Sequence, residues 1–498
     1  MNTFLKYALL VAILLLSLGT QFIFTGAQYT DEQSYLTFRL IDITQDSFSF
    51  SYQDDLSFQG RELFLNPLLY KFLGIMQQDM PDPIFAYMYT AIMLLGAIVL
   101  VFLISDKLTK YSWHVIGATL LAAFLPITAI NIFNTFTLIP LLLVAMLIGL
   151  YVYVQYLQKE KYAGYLYVTC IILSVIHPLM VLFVLGLLTY HGLATLEKKR
   201  TLLVEREVLL FTILFSFAVN YIIYFQAFKV HGSSLLWDIV SVRPFINFVE
   251  FVPLAPTMGF LVLAATIYII YTSIAQQQPN FLLIVSSFTI VPGLLNIFGI
   301  LSADTSMIFI GFFGSILCVA FFDIIRTILF ETKAAKKRRG LLITIIILLA
   351  ATQFLFFAYY GTISKSASQT TQVDDALDWI QTYTEPNAII VTPIKFSQKT
   401  MYKTNRMTLA DTQVLGLVDY KKRVSTIEKI YTSLFESQLL DLTTQAGLYS
   451  EQPGYIVVFA NTQLWESNAL KTTCMDEVYR QDSVAIYNVT CRVLEKST

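Results

Sequence analysis

The chain has 498 residues, of which 56% are hydrophobic and only 13% are charged. Soluble globular proteins carry about a quarter charged residues, so the composition excludes that class and predicts a polytopic membrane protein. The formal net charge of −1 gives no sign of a nucleic-acid partner.

Apolar runs long enough to cross a bilayer recur through the first 360 residues. A helix needs about 20 residues to span roughly 30 Å of hydrocarbon. On this measure we predict about eleven transmembrane helices, near residues 4–24, 84–104, 113–131, 135–157, 163–177, 178–195, 207–226, 253–275, 280–299, 304–326 and 341–360. The two runs that meet at His177 and Pro178 are short, which predicts two half-depth helices joined by a bend.

The basic residues predict the orientation, because lysine and arginine are retained in cytoplasmic loops. With the N-terminus inside, the inner loops carry most of these residues: Lys107, Lys110, Lys159, Lys161, Lys198, Lys199, Arg200, Arg206, Lys333, Lys336, Lys337, Arg338 and Arg339. We therefore predict a multi-pass cell-membrane protein whose C-terminal part is extracytoplasmic. Thr25-Gly26-Ala27 resembles a signal-peptide cleavage site, but the apolar run before it exceeds the usual 7–15 residues, which favours a retained helix.

The predicted domains follow from the same pattern. Residues 1–361 form a transmembrane domain with a long outer loop at 25–83 and a second outer loop at 227–252. A linker at 362–373 precedes a small α/β domain at 374–498, in which "NAIIVTP" and "GYIVVFA" are predicted strands.

The four cysteines divide by environment. Cys170 and Cys318 lie in apolar runs and are predicted to pack there. Cys474 and Cys491 flank a predicted two-strand segment of the outer domain, where an oxidising compartment would allow a disulfide between them. The sequence has no CxxC or Cys/His cluster, so a zinc site is not expected.

Two acids, Asp31 and Glu32, directly follow the first apolar run, and Tyr35 and Arg39 follow them at helical spacing. No P-loop, GxGxxG, GxSxG or HExxH motif is present. The two acids are either ordinary solvated residues after a helix or the reactive groups of an enzyme acting at the membrane surface.

Two segments of the first outer loop carry a family resemblance. "YTDEQSYLTFRL" (29–40) resembles the acidic pair with which GT-C membrane glycosyltransferases begin this loop, and "GRELFLNPLLY" (60–70) resembles the Gly-Arg stretch that follows in them. The number of helices, the His177-Pro178 bend and the outer C-terminal domain are also similar. The resemblance implies a helical GT-C bundle that transfers a sugar from a polyprenyl-phosphate or polyprenyl-pyrophosphate carrier, with Asp31 at the catalytic position and Glu32 beside it.

The chemistry of such a transfer fits these residues. A positioned carboxylate can take the proton that an acceptor hydroxyl loses as it attacks the sugar. The departing lipid phosphate needs cations or amide donors, and Arg61 and Arg243 are the outer cations predicted to bind it, unless they only anchor the chain at the interface. Tyr35 and His177 are further candidates for substrate binding; a hydrogen-bonded histidine at a helix end is the alternative for His177.

The sequence departs from part of the family. Oligosaccharyltransferases of this class carry acids in the next outer loop and bind a divalent metal, but here that loop reads "NIFNTF" (131–136). A metal or other cofactor is therefore not expected, and the chain looks more like the O-mannosyltransferase and aminoarabinose-transferase branch. Asp304 also stands where relatives often have an arginine.

These observations predict a membrane glycosyltransferase that inverts the transferred sugar outside the cytoplasm, with a glycan, a lipid or a protein as acceptor. The alternative is a non-catalytic scaffold of GT-C architecture whose outer domain binds a partner. A transporter is less favoured, because transporters place ionisable groups or broken helices near the middle of the membrane, where this chain is almost entirely apolar.

Overall fold

The computed structural model describes residues 3–26, 28–45, 48–159, 162–197, 203–231, 252–275, 280–331, 333–368, 371–412, 420–446, 453–471 and 473–490. Within these ranges the α-helices are Thr3–Phe24, Glu32–Gln45, Pro67–Gln77, Asp82–Leu108, Ser112–Ala123, Pro126–Asn131, Ile139–Gln158, Ala163–Ile176, Val181–Leu196, Leu203–His231, Phe260–Ala275, Asn280–Ile297, Ala303–Glu331, Lys333–Ala367, Gln372–Tyr383, Ser397–Thr404, Tyr420–Tyr431, Glu436–Gln445 and Gln463–Glu466. The strands are β1 (Ser51–Asp54), β2 (Arg61–Phe64), β3 (Ile389–Val391), β4 (Met407–Thr408), β5 (Gly454–Phe459), β6 (Met475–Gln481) and β7 (Val484–Val489).

The apolar helices confirm the predicted polytopic helical fold. In the described part of the chain, nine helical stretches are long and apolar enough to cross a membrane. Two shorter apolar helices, Ala163–Ile176 and Phe260–Ala275, correspond to the remaining predicted spans. The hydrocarbon of a bilayer offers no hydrogen-bond partners to the backbone. Helices suit this setting because their backbone amides and carbonyls are hydrogen-bonded to each other within one segment.

The break predicted at Pro178 is present. The helix before it ends at Ile176, and His177 has an extended backbone (φ −160°, ψ 147°). Proline cannot continue the hydrogen-bond ladder and disfavours a helical conformation in the residue before it. A short 3₁₀ turn, Pro178–Met180, then leads into the next helix.

The chain divides into two compact units. The membrane unit comprises 1–26, 79–225 and 236–368, and the second unit comprises 27–78, 226–235 and 369–498. Residues 27–78, which the sequence analysis counts with the transmembrane domain, thus pack with the C-terminal part of the chain. We call this second unit the acid-pair unit, because it contains Asp31 and Glu32.

Close helix packing in the membrane unit depends on small residues. A Cβ atom at Gly149 would lie 2.5 Å from the Phe183 ring, and one at Gly186 would lie 2.9 Å from the Phe288 ring. Glycine at these two positions lets neighbouring helices approach, which is how membrane helices gain van der Waals contact in the absence of a hydrophobic driving force.

Asn134 belongs to the loop at 131–136, which contains no acidic residue and which we call the acid-free loop. Its side chain joins helix ends within the membrane unit. Its Oδ1 accepts a hydrogen bond from the Gly26 amide at 2.7 Å. Its Nδ2 donates to the Phe24 carbonyl at 3.0 Å and to the Ser364 hydroxyl at 2.8 Å. Here the loop fixes the end of the first helix with an amide side chain.

The acid-pair unit contains a five-stranded sheet in the order β4-β3-β5-β7-β6. β3 runs parallel to β4 and β5, whereas β7 runs antiparallel to β5 and β6. Ile389 and Val391 pack on one face of the sheet, and Ala388 and Ile390 pack on the other. Because both faces are covered, the strand reads as the continuous apolar run that the sequence shows.

The three described cysteines are of two kinds, buried free thiols and a disulfide-bonded residue. Cys170 and Cys318 are buried free thiols. Cys474, one residue before β6, takes part in a disulfide. Cys491 lies outside the described residues, so its pairing with Cys474 stays a prediction.

Candidate functional site

The predicted helix after the acid pair exists and begins at Glu32. We call Glu32–Gln45 the acid helix. Asp31 stands just before it and accepts hydrogen bonds from the hydroxyl and the backbone amide of Ser34. A short acidic side chain commonly satisfies the free amides of a first helical turn in this way. Asp31 is thereby fixed by a residue three positions along the chain.

Burial changes the acidity of Asp31. The residue keeps part of its surface accessible, yet the groups around its carboxylate remove most of the hydrating water. This desolvation raises the pKa of Asp31 to about 6, against the opposing effect of the hydrogen bonds from Ser34. A carboxyl group with such a pKa exchanges protons near neutral pH.

Glu32 is held from a distant part of the sequence. Its Oε2 accepts the backbone amide of Gln398 at 2.5 Å and that of Lys399 at 3.4 Å. Both amides belong to the first turn of Ser397–Thr404, which we call the lysine helix. Burial raises the pKa of Glu32 to about 8, and the amides of Gln398 and Lys399 oppose that rise. Glu32 therefore ties the acid helix to the lysine helix.

Lysine residues of the lysine helix meet an acid of their own. The ammonium groups of Lys399 and Lys403 each lie 2.7 Å from Oδ1 of Asp374. Lys399 Nζ also donates to Oε1 of Gln28, at 3.1 Å. Burial raises the pKa of Asp374, but hydrogen bonds from the two lysines outweigh it and hold that pKa near 2. Lys399 is not among the site residues predicted from sequence, because its local signal is no more than a spacing of four residues from Lys403.

Two aromatic residues of the acid helix, Tyr35 and Phe38, belong to a cluster of aromatic rings. Tyr35 packs against Tyr29 and Tyr402, with ring centroids 5.6 Å and 5.7 Å apart. Phe38 contacts the same two rings at 5.3 Å and 5.6 Å. Only 3% of Tyr35 is exposed. We therefore assign Tyr35 a packing role in this cluster, and its contact with substrate stays a prediction.

Arg61 lies in a buried network of charges. Its Nε donates to Asp54 at 2.9 Å, and its two Nη atoms donate to the two carboxylate oxygens of Asp411 at 2.9 Å and 2.6 Å. Arg39 donates to the other oxygen of Asp54 at 2.6 Å. All four side chains are at most 4% exposed. Because the N–H donors of Arg61 bind the protein's own carboxylates, we do not include Arg61 in the proposed phosphate-binding site.

Two predicted site residues remain, His177 and Arg243. His177 belongs to the membrane unit, where its Nδ1 accepts the backbone amide of Leu179 at 3.1 Å and caps the turn after the break. Arg243 lies outside the described residues. Within the described ranges, no three or more His, Cys, Asp or Glu side chains are grouped so that they could hold a metal ion.

Comparisons with known proteins place the fold. No family model matches the sequence, and no curated protein matches it either. Solved structures do: the Archaeoglobus fulgidus oligosaccharyltransferase in its apo form has 12% identity and a TM-score of 0.66, with 92% of this chain and 70% of that one covered.

Two other kinds of structure are similar. ArnT from Cupriavidus metallidurans, bound to undecaprenyl phosphate, has 14% identity and a TM-score of 0.56, with 98% of both chains covered. The arabinofuranosyltransferase AftD from Mycobacteria has 12% identity and a TM-score of 0.53, with 99% of this chain and 40% of that one covered. All three are GT-C glycosyltransferases. The chain therefore has the GT-C fold, and the resemblance seen in its sequence is confirmed at that level.

Proposed function

We propose that the chain is an integral-membrane glycosyltransferase that moves a sugar from a polyprenyl-phosphate-linked donor to a glycan, lipid or protein acceptor. The observation that carries the proposal is Asp31. Asp31 is a partly exposed residue directly after the first apolar helix, and burial of its carboxyl group raises the pKa to about 6. A general base works best when its pKa lies near the working pH, because it is then ionised and still able to hold a proton.

The contacts of the acid pair support a division of roles. Glu32 has an oxygen engaged by the amides of the lysine helix, and its pKa of about 8 keeps it largely protonated at neutral pH. Among the described residues, Asp31 is bound by its near neighbour Ser34, and with a pKa of about 6 it is largely ionised at pH 7. We therefore assign proton abstraction from the acceptor to Asp31 and the positioning of the acid helix to Glu32.

The donor is proposed from the solved relatives. One structure of the Archaeoglobus oligosaccharyltransferase is a complex with a dolichol-phosphate, and the Cupriavidus ArnT structure holds undecaprenyl phosphate. A polyprenyl-phosphate carrier suits an acid pair that directly follows a membrane helix. Arg243 and His177 remain the proposed contacts for the lipid phosphate, whose growing charge needs donors in the transition state.

Stereochemistry and location complete the proposal. When one base-assisted displacement transfers the sugar, the acceptor attacks the face opposite the leaving phosphate, so the anomeric centre is inverted. The distribution of basic residues supports an extracytoplasmic acid pair. The acid-free loop at 131–136, in which Asn134 fixes helix ends, supports transfer without a metal ion.

The test is sugar transfer by the purified full chain in liposomes. The donors are radiolabelled polyprenyl-phosphate sugars, each offered with lipid, glycan and peptide acceptors. We expect Asp31→Asn to lose about 10²–10⁴-fold in rate, because the amide keeps the shape of the side chain but cannot accept a proton. Glu32→Gln should lose less.

Asp378→Asn is the matched control, since it makes the same chemical change at an exposed position of the same unit. It should keep the rate of the unmodified protein. Full transfer by Asp31→Asn would refute the assignment of the base, and a larger loss in Glu32→Gln would reverse the two roles. Absence of transfer from every donor would favour the non-catalytic scaffold.

A further inference from the structure

A second feature of the acid-pair unit is the helix Pro67–Gln77, which we call the proline helix. Asn66 accepts a hydrogen bond from the Leu68 amide at 3.1 Å and Pro67 opens the first turn, so the local sequence fixes where the helix begins. Most of its side chains are apolar, and they lie on more than one side of the helix. A helix that is apolar all round is normally covered on every side, either by protein or by lipid.

One side of the proline helix packs against the acid helix. Leu69 and Leu73 on this side are 7% and 1% exposed. A Cβ atom at Gly74 would lie 3.2 Å from Cγ2 of Ile41 and 3.3 Å from Cγ of Gln45, both in the acid helix. The absence of a side chain at Gly74 therefore lets the two helices approach closely, and protein covers this side of the proline helix.

The opposite side is apolar and exposed. Successive helical residues are rotated by about 100°, so positions 68, 72, 75 and 76 fall within one arc of about 100°. The side chains of this arc are 44% to 67% exposed: Leu68, Phe72, Ile75 and Met76. A continuous apolar surface of this kind is unfavourable in water and marks a site that binds protein or membrane.

The place of the helix in the chain favours lipid as the occupant. Only residues 78–81 separate it from Asp82–Leu108, one of the helices long and apolar enough to cross a membrane. A linker of this length reaches at most roughly 18 Å, so it holds the proline helix close to the membrane surface. The spanning helix begins with exposed residues of the same kind, since Ile84, Met88 and Ile92 are 54%, 41% and 52% exposed.

We propose that the proline helix lies in the lipid–water interface of the bilayer, with Phe72 and Ile75 among the phospholipid acyl chains. Lys71 adjoins the exposed arc, and its long side chain can keep its stem on the apolar side while the ammonium group reaches the lipid phosphates. Because the other side of the helix packs on the acid helix, this lipid contact holds the acid helix at the membrane surface.

The experiment is photocrosslinking of the full chain in phosphatidylcholine–phosphatidylglycerol liposomes that contain a radiolabelled phospholipid. The photoreactive p-benzoylphenylalanine replaces Phe72 or Ile75. Ile92, on the exposed apolar side of a spanning helix, is the positive control, and Asp378, exposed on a helix of the acid-pair unit, is the control for a position in water. We expect lipid labelling from Phe72 and Ile75 to exceed that from Asp378 by about tenfold or more, because acyl chains surround an interfacial helix.

A charge in the exposed arc supplies the second measurement. Phe72→Asp should lower the lipid labelling from the photoprobe at Ile75 by about threefold or more, because a carboxylate is unfavourable among acyl chains. Phe72→Leu, which keeps the surface apolar, should leave the labelling unchanged.

Two results would overturn the proposal. One is lipid labelling from Phe72 and Ile75 that is no stronger than from Asp378 while Ile92 is labelled. The other is an adduct between two copies of the chain in place of the lipid adduct, which would make this side of the helix an interface between protomers. The labelling is read without sugar transfer, so its outcome is independent of the proposed function.

Discussion

Asp31 and Glu32 are neighbours in sequence, but different contacts hold their carboxyl groups. Asp31 is bound by Ser34, three residues away, and has a pKa of about 6. Glu32 is bound by amides more than 360 residues away and has a pKa of about 8. Two acids at one place thus acquire different protonation states at neutral pH, which is how carboxyl pairs come to divide catalytic roles.

The pKa of Asp31 predicts the acid limb of the rate profile. A base must be ionised, so kcat/KM for sugar transfer should fall about tenfold per pH unit below pH 6 and level off above it. The residual rate of Asp31→Asn should lack this limb. A rate that does not change between pH 5 and pH 7 in the unmodified protein would contradict the assignment.

Both raised pKa values also predict how stability depends on pH. The ordinary values are 3.8 and 4.5, and the folded values are about 6 and 8. Folding therefore favours the protonated acids, so their contribution is complete below pH 4 and is lost as pH rises through 6 and 8. Asp374 acts in the opposite direction, but its contribution is lost only below about pH 4 as pH falls toward 2.

Glu32→Gln should reduce this loss at alkaline pH. Glutamine keeps an oxygen for the amides of Gln398 and Lys399 but cannot ionise. The variant should unfold at least about 2 °C higher than the unmodified chain at pH 9, and the gap should close toward pH 5. Thermal unfolding in detergent measures this, with Asp378→Asn as the control. A gap of the same size at both pH values would show that ionisation is not the cause.

At the scale of elements, the acid helix and the lysine helix contact each other directly through Glu32. Periodicity and the preceding acid made the acid helix predictable. The role of the lysine helix was not predictable, because it depends on two contacts between residues far apart in sequence. Lys399 binds Gln28, 371 residues away, and the Gln398 amide binds Glu32, 366 residues away. Arg61 shows the same limit: its local sequence indicates an outer cation, but its partner Asp411 is 350 residues away. Local patterns reveal helices and strands, whereas the pairing of charges is decided by the tertiary fold.

Lys399 and Lys403 provide a matched pair of variants. Each donates to Asp374, but only Lys399 also binds Gln28 and acts on the charge of Glu32. Lys399→Met and Lys403→Met should therefore destabilise the unit similarly, by about 1–3 kcal/mol. Lys399→Met should lower kcat more, because it also releases the segment that leads into Asp31. Equal effects on kcat would indicate that Lys399 is only structural.

At the scale of the whole molecule, two parts of the chain separated by the membrane helices make one compact unit. The network of Arg39, Asp54, Arg61 and Asp411 lies where these parts meet. Burying charge is costly, and the network is stable only because each member has an opposite partner. The fold class, the apolar helices and the break at Pro178 were predictable from composition and spacing. This joining of two distant segments was not.

Removing one member of the network should therefore be severe. Arg61→Met removes the guanidinium that donates to both oxygens of the buried Asp411 carboxylate, and we expect a loss of roughly 3–5 kcal/mol in unfolding free energy. Arg61→Met combined with Asp411→Leu should recover a large part of it, because the buried carboxylate is removed together with the guanidinium that compensates it. Thermal unfolding and protease resistance measure both. Additive losses in the double variant would show that the two side chains are not coupled.

The long sequence separation within this network delays its formation during protein synthesis. Ribosomes add about 5–20 residues per second, so the 350 residues between Arg61 and Asp411 take roughly 20 to 70 s to synthesise. Throughout that interval Arg61 has no Asp411, and Glu32 lacks the amides that will hold it. A nascent chain inserted in the membrane therefore carries its acid pair long before that pair has its final setting. The setting that the proposed activity requires is complete only after the segment that contains Gln398 and Asp411 has been made.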